Sequence, residues 1–165
     1  MDAAQLAAKL AAAVPNPSIT PILFQDQITL VIPSRSLKDV LRELKDNLDL
    51  QFDMLLDVTA VDYPSRRPRF DVVYILVSTV YSERVRVKTQ IDDGETLPTV
   101  SDLWRSADWG ERECFDMFGI RFDDHPNLKR ILNPDNFYGY PLRKTFPLRG
   151  ERDPAFLDYK ESEPA

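Results

Sequence analysis

Ionisable side chains crowd into one stretch, Trp109-Gly110-Glu111-Arg112-Glu113-Cys114-Phe115-Asp116-Met117-Phe118-Gly119. Three carboxylates, Glu111, Glu113 and Asp116, are spaced closely enough for acid–base work, which needs one carboxyl held neutral beside another held ionised. Read as a helix at about 100° per residue with Trp109 at zero, the residues Met117, Gly110, Cys114, Phe118 and Phe115 span an arc from about 80° to about 240°. Arg112, Glu113 and Asp116 gather on the other side, around Trp109. Glu111, at about 200°, lies inside the apolar arc. A carboxylate there must be paired or hydrogen-bonded, because leaving it bare costs several kcal/mol. No nucleophile, metal cluster or second acid is evident beside it, so a structural ion pair fits better than a catalytic acid. Gly119 ends the helix as a left-handed cap.

Other chemistry is thinly represented. The chain has one His and one Cys, too few for a zinc or iron–sulfur site. No Gly-x-Gly-x-x-Gly or Walker-type loop occurs, and five Gly in all leave little room for a phosphate cradle. His125 precedes Pro126 in a loop, where a histidine acts as a structural hydrogen-bonder more often than as a base. A single Cys excludes an internal disulfide and suggests a reducing compartment. A net charge of −6 argues against nucleic-acid binding by bulk electrostatics. Residues 2–13 are Ala-rich with Asp2 near the start, unlike a secretory or transit segment. The longest apolar run, Val72 to Val77, is far short of the ~20 residues a membrane span needs, so any membrane association is expected to come through partners.

The elements that would position the charged stretch can be read in order. Residues 2–13 suggest a short helix, and Ile19–Phe24 with Ile28–Ile32 a strand pair around Gln25-Asp26-Gln27. Ser36 with Asp39 suggests a capping box, followed by an apolar stripe of Leu37, Val40, Leu41, Leu44 and Leu48. Three strands follow: Phe52–Thr59, Phe70–Val77, apolar on both faces, and the alternating Arg84–Lys88. Arg66-Arg67-Pro68-Arg69 reads as a solvated hairpin tip. Thr99–Ala107 opens the last helical region, with Val100, Leu103 and Trp104 inward. This order predicts a two-layer α+β domain over residues 1–119, with helices on a mixed sheet of about five strands.

From residue 120 to 165 the character changes to Pro-rich, aperiodic sequence carrying Phe122, Phe137, Tyr138, Tyr140, Phe146, Phe156 and Tyr159. Disordered segments are poor in such residues, and long structureless stretches are rare inside compact domains. An extended C-terminal arm that buries its aromatics and Arg residues on another protein reconciles these facts.

Three motifs carry a resemblance. Glu111-Arg112-Glu113-x-x-Asp116-Met117-Phe118-Gly119 is followed by His125-Pro126-x-Leu128-Lys129-Arg130-Ile131-Leu132, then by Gly139-x-Pro141-Leu142-Arg143-Lys144. With Leu56-Asp57-Val58-Thr59-Ala60-Val61-Asp62-Tyr63 upstream, the pattern closely resembles the C-subunit (30 kDa) family of NADH:quinone oxidoreductase, respiratory complex I. Cys114, Tyr140 and Thr145 depart from the family's usual aliphatic, His and Asp. The resemblance implies a cofactor-free subunit of the peripheral arm that braces the quinone module at the cytoplasmic face of a bacterial inner membrane. It implies that FMN and iron–sulfur clusters lie in partner subunits, and that NADH and quinone are substrates of the whole complex. The implied partners are the large D-type (49 kDa) subunit, with the B and I subunits, and no nucleic acid. The implied subunit interface is Phe137, Tyr138, Tyr140, Pro141, Leu142, Arg143, Lys144 and Phe146. The same subunit in a membrane-bound hydrogenase or related dehydrogenase is the alternative, and a free-standing carboxylate-dependent enzyme a remote one.

Overall fold

The computed structural model describes residues 8–9, 12–13, 20–25 and 27–147. Five strands make one mixed sheet: β1 (Thr20–Phe24), β2 (Gln27–Ile32), β3 (Met54–Asp62), β4 (Phe70–Ser78) and β5 (Glu83–Ile91), in the order β1-β2-β5-β4-β3. Only the β2–β5 pairing is parallel. It is the pairing that needs a crossover, and α1 (Leu37–Asp46) supplies it. The α+β class and the five-stranded mixed sheet match the expectation from sequence.

Alternation sorts the sheet into two faces. Ile28, Leu30 and Ile32 of β2, Val85 and Val87 of β5, and Phe70, Val72, Tyr74 and Leu76 of β4 share one apolar cluster. Leu37, Val40, Leu41 and Leu44 of α1 and Ala107, Cys114, Met117 and Phe118 of α2 (Ala107–Phe118) join it from above. Val73, on the other face of β4, is buried but belongs to no part of that cluster. Both helices therefore cover the same face. Two short strands, β6 (Thr96–Pro98) and β7 (Arg121–Asp123), pair in parallel at the end of α2.

α2 lies close on β3 because Gly110 allows it. A Cβ there would stand 2.9 Å from the Val58 Cβ and 3.2 Å from the Val58 carbonyl oxygen. One turn on, the Cys114 thiol meets the same carbonyl at 3.6 Å. Gly119 terminates the helix with φ 75° and ψ 22°, the left-handed cap expected.

Several local expectations need correction. Ser36 occupies the N-cap of α1 but makes no side-chain cap bond, and Asp39 instead faces Arg42 at 3.6 Å. α1 stops at Asp46, so Leu48 leaves the stripe and is 77% exposed. Residues 99–106 form turns, pinned to α1 by Lys45 on the Leu103 carbonyl, and the helix begins only at Ala107. The arm expected from residue 120 starts inside the domain: Ile120 and Phe122 belong to the main core. A three-residue strand is too short to show periodicity, which is why β7 escaped notice. Of the expected helix at 2–13, residues 8, 9, 12 and 13 are helical. The remainder, and the arm residues 148–165 with Phe156 and Tyr159, lie outside the described residues.

Candidate functional site

The charged side of α2 is dry for two of its three ionisable residues. Arg112 and Asp116 are buried, whereas Glu113 and Trp109 are exposed. The cover is residues 127–146, which return across α2 as a strap. Asp116 is its main anchor. One carboxylate oxygen accepts the backbone N–H groups of Ile131 (3.0 Å), Leu132 (2.8 Å) and Asn133 (2.9 Å). The other accepts Arg130 Nη1 (2.6 Å) and Asn133 Nδ2 (3.0 Å). Burial opposes the charge, but the Asn133, Arg130 and Ile131 hydrogen bonds outweigh it and hold the carboxyl well below its ordinary value. Arg130 also donates to the carbonyls of Asp116, Phe137 and Gly139. Arg112 reaches the Lys129 carbonyl (3.1 Å) and the Arg130 carbonyl (3.0 Å) while packing over Trp109. Lys129 and Pro126 are themselves exposed.

Glu111 sits on the far side of α2, fully buried as its position on the apolar arc predicts. It has no Lys or Arg partner among the described residues. Its carboxylate instead accepts the Val100 N–H at 2.8 Å and the Thr99 hydroxyl at 2.5 Å. Burial pushes its pKa to about 7 against the lowering effect of those bonds, with Asp102 and Asp108 adding to the rise. His125 stands behind it, Nε2 at 3.8 Å from Glu111 Oε2 and 3.3 Å from the Asp108 carbonyl oxygen. Nδ1 of His125 accepts the Asn127 N–H at 3.0 Å, which leaves Nε2 as the donor. Tyr74, buried without a hydrogen-bond partner for its hydroxyl, is pushed well up by burial first, with the Glu111 carboxylate adding to the rise. Burial likewise pushes the Cys114 thiol up. A buried neutral thiol on a carbonyl and a histidine turned to Asp108 do not form an iron–sulfur donor set.

The strap's end is tied down by a second network. Arg143 donates Nε to the Phe118 carbonyl (2.6 Å) and both Nη groups to Asp93 (2.8 and 2.9 Å). Arg69 grips Asp62 through two bonds (2.7 and 2.9 Å), and the Lys144 N–H completes the Asp62 carboxylate at 2.8 Å. Those Arg69 bonds hold the Asp62 carboxyl below its ordinary value. Arg69 also reaches Thr145 Oγ1, and Arg66 pairs with Asp71. The predicted solvated tip is thus mostly engaged, with Arg67 alone of its arginines exposed. Arg130 and Arg143 flank the Tyr140 ring, and Phe137 stacks on Phe146 at 6.1 Å. These side chains line an open hollow of about 470 Å³. Leu142 donates its N–H to the Met117 carbonyl, Tyr138 and Leu142 project outward, and Pro141 is half-buried. A Cβ on Gly119 would stand 2.5 Å from the Tyr140 ring, so this glycine serves the strap as well as the helix end.

Asp62, Asp93, Arg69, Thr99 and Asn133 complete these networks, yet none was expected from the sequence as a site residue. Their partners are mostly distant in the chain: Lys144 lies 82 positions from Asp62, and Thr145 lies 76 from Arg69. Chemically, the arrangement is a set of charge-assisted clasps closing a strap over a helix.

The family described as respiratory-chain NADH dehydrogenase, 30 Kd subunit, matches residues 30–152, a range that runs from the end of β2 through α1, β3, β4, β5, α2 and the strap. The chain belongs to this family. Members similar to it are named as the C subunit of NADH-quinone oxidoreductase. One from a Caulobacter species is 48% identical over 124 residues, covering 75% of this chain and 58% of that protein. One from Brucella ovis is 48% identical over 124 residues, 75% of this chain and 61% of its own. One from Hyphomonas neptunium is 43% identical over 135 residues, 82% and 67% respectively. The chain spans about three-fifths of the length of the curated relatives it matches. Tyr140 lies between two guanidinium groups, and Thr145 accepts from Arg69. Cys114 fills an apolar position against β3.

Proposed function

We propose that the chain is a scaffold subunit of the peripheral arm of a proton-translocating NADH:quinone oxidoreductase. It braces the quinone module and leaves NADH oxidation by FMN, the iron–sulfur relay and quinone reduction to partner subunits. The single observation supporting this is where the signature residues spend their side chains. Arg112, Asp116, Arg130 and Arg143 are consumed in holding the strap, and Glu111 and His125 are turned into the body of the domain. The strap then presents Leu132, Tyr138 and Leu142 outward on a rigid base. Exposed aromatic and aliphatic side chains held this way suit a permanent interface. The large D-type subunit is the proposed partner for this surface, with the B and I subunits as further neighbours. Strap and residues 148–165 together form the proposed partner-wrapping arm. The chain meets the membrane through the complex, on the cytoplasmic side of a bacterial inner membrane. No described helix is long and apolar enough to cross a membrane.

Affinity purification of the chain from its native membranes in mild detergent tests this reading. The expected result is co-purification with the D, B and I subunits and with NADH:quinone activity. Isolation with a hydrogenase, or alone, refutes it.

A further inference from the structure

The sheet face opposite the two helices carries an ordered pattern that the scaffold reading does not use. Along β4 the residues Val73, Ile75 and Val77 form an aliphatic strip. Register places Thr59 beside Val73, Asp57 beside Ile75, and Met54, 45% exposed, beside Val77. On the other side β5 aligns Arg84, Arg86 and Lys88 with Val77, Ile75 and Val73. A basic ladder therefore runs parallel to an apolar strip. Lys88 is neutralised, with Nζ 3.1 Å from the buried Asp71 carboxylate that Gln90 and Arg66 also hold. Arg86 donates only to the neutral Gln27 amide, at 2.9 Å. Among the described residues neither Arg84 nor Arg86 has an ion-pair partner, in a chain of net charge −6.

We infer that this face docks an acidic, amphipathic segment of another subunit, its apolar side chains on the half-buried Ile75 and Val77 and on Met54, and its carboxylates on Arg84 and Arg86. The inference rests on the assembly reading above and adds a second contact, separate from the strap. Two features favour such a partner over a second copy of this chain. β5 is the central strand of the five, so a two-fold packing of open faces would set one basic ladder on the other. Like charges so opposed cost several kcal/mol. The guanidinium groups, by contrast, are spaced on alternate residues of a strand, about 7 Å apart, which suits carboxylates one helical turn apart.

The test uses the full chain in its native membranes, carrying the photo-reactive residue benzoylphenylalanine in place of Met54. After purification in mild detergent and irradiation, mass spectrometry maps the cross-linked peptide. The expected product joins the chain to a segment of another subunit in which Asp or Glu recurs three or four residues apart beside an apolar helical stripe. In parallel, Arg84→Glu with Arg86→Glu should lower retention in the assembly by roughly tenfold or more, with Arg84→Gln and Arg86→Gln intermediate, as expected for a close charge contact. Cross-links confined to residues 148–165, cross-links to a second copy, or no cross-link from a chain that is retained would each overturn the inference. The cross-link is formed with both arginines intact, so a folding defect in the charge-reversed variant does not decide the outcome. A chain that purifies without other subunits overturns the assembly reading and this one with it. A chain that purifies with them but leaves the face unlabelled overturns this one alone.

Discussion

Replacing Glu111 by Gln separates the buried carboxylate's shape from its charge. The amide keeps an acceptor for the Val100 N–H, and the Thr99 hydroxyl can rotate to accommodate the rest. What disappears is ionisation. Because burial raises the folded-state pKa from 4.5 to about 7, the folded chain holds that proton more tightly than the unfolded chain does. The stabilisation is therefore complete below about pH 4.5 and is lost as the pH rises through about 7. At about 1.4 kcal/mol per tenfold change in acidity, the full loss is about 3 kcal/mol. Urea unfolding of wild type and Glu111→Gln at about pH 4.5, 6 and 8 measures it. The wild type should fall relative to the variant by about 3 kcal/mol across that range. The pH response of Asp116, opposite in sign, is present in both proteins and cancels in the difference. A gap between the two proteins that stays constant, or that opens the other way, would show that the Thr99 and Val100 bonds dominate burial, and the reasoning would fail.

Asp116→Asn keeps one carbonyl oxygen but removes the charge and turns the other oxygen into an NH2 donor that faces either Arg130 or the three successive N–H groups, and should cost about 3–5 kcal/mol, as orphaning a buried charge does. Hydrogen exchange should then show faster amides at Ile131, Leu132 and Asn133. In wild type, the lowered Asp116 pKa means its contribution is present above the ordinary carboxyl range and lost as the pH falls below it. Strap amides should therefore lose protection first in acid. Gly119→Ala should cost about 2–4 kcal/mol in urea unfolding, combining a left-handed backbone with a clash against Tyr140. Arg143→Ala should release the end of the strap and weaken assembly, whereas Lys144→Ala should do little, since only the Lys144 backbone touches Asp62. Native electrophoresis of the membrane complex compares the two.

Where periodicity was long, the sequence read well. The alternation in β2 and β5 and the Leu37–Leu44 stripe placed these two strands and α1 because each repeats its signal several times. Glu111 was legible for a similar reason: a charge on an apolar arc must find partners wherever the chain folds. Its actual partners, a threonine and a backbone amide, were not legible, because neither residue type is unusual by itself. The burial of Arg112 and Asp116 was not legible, for a physical reason. Helical angle says which side a residue is on, but not whether later chain covers that side. The strap that covers it has no period, and its clasps join residues separated by the whole sheet.

The clasp at Asp62 also orders events in time. Its carboxylate leaves the ribosome with β3, 82 residues ahead of the Lys144 amide that completes it. Asp116 likewise waits for Asn133, and Arg112 for the Lys129 and Arg130 carbonyls. During synthesis the sheet and α1 can close on themselves, but one flank of α2 stays wet until the strap arrives. Tyr138 and Leu142 thus take their final positions last. Any partner that grips them is inspecting a finished domain, and a chain halted short of the strap lacks that grip.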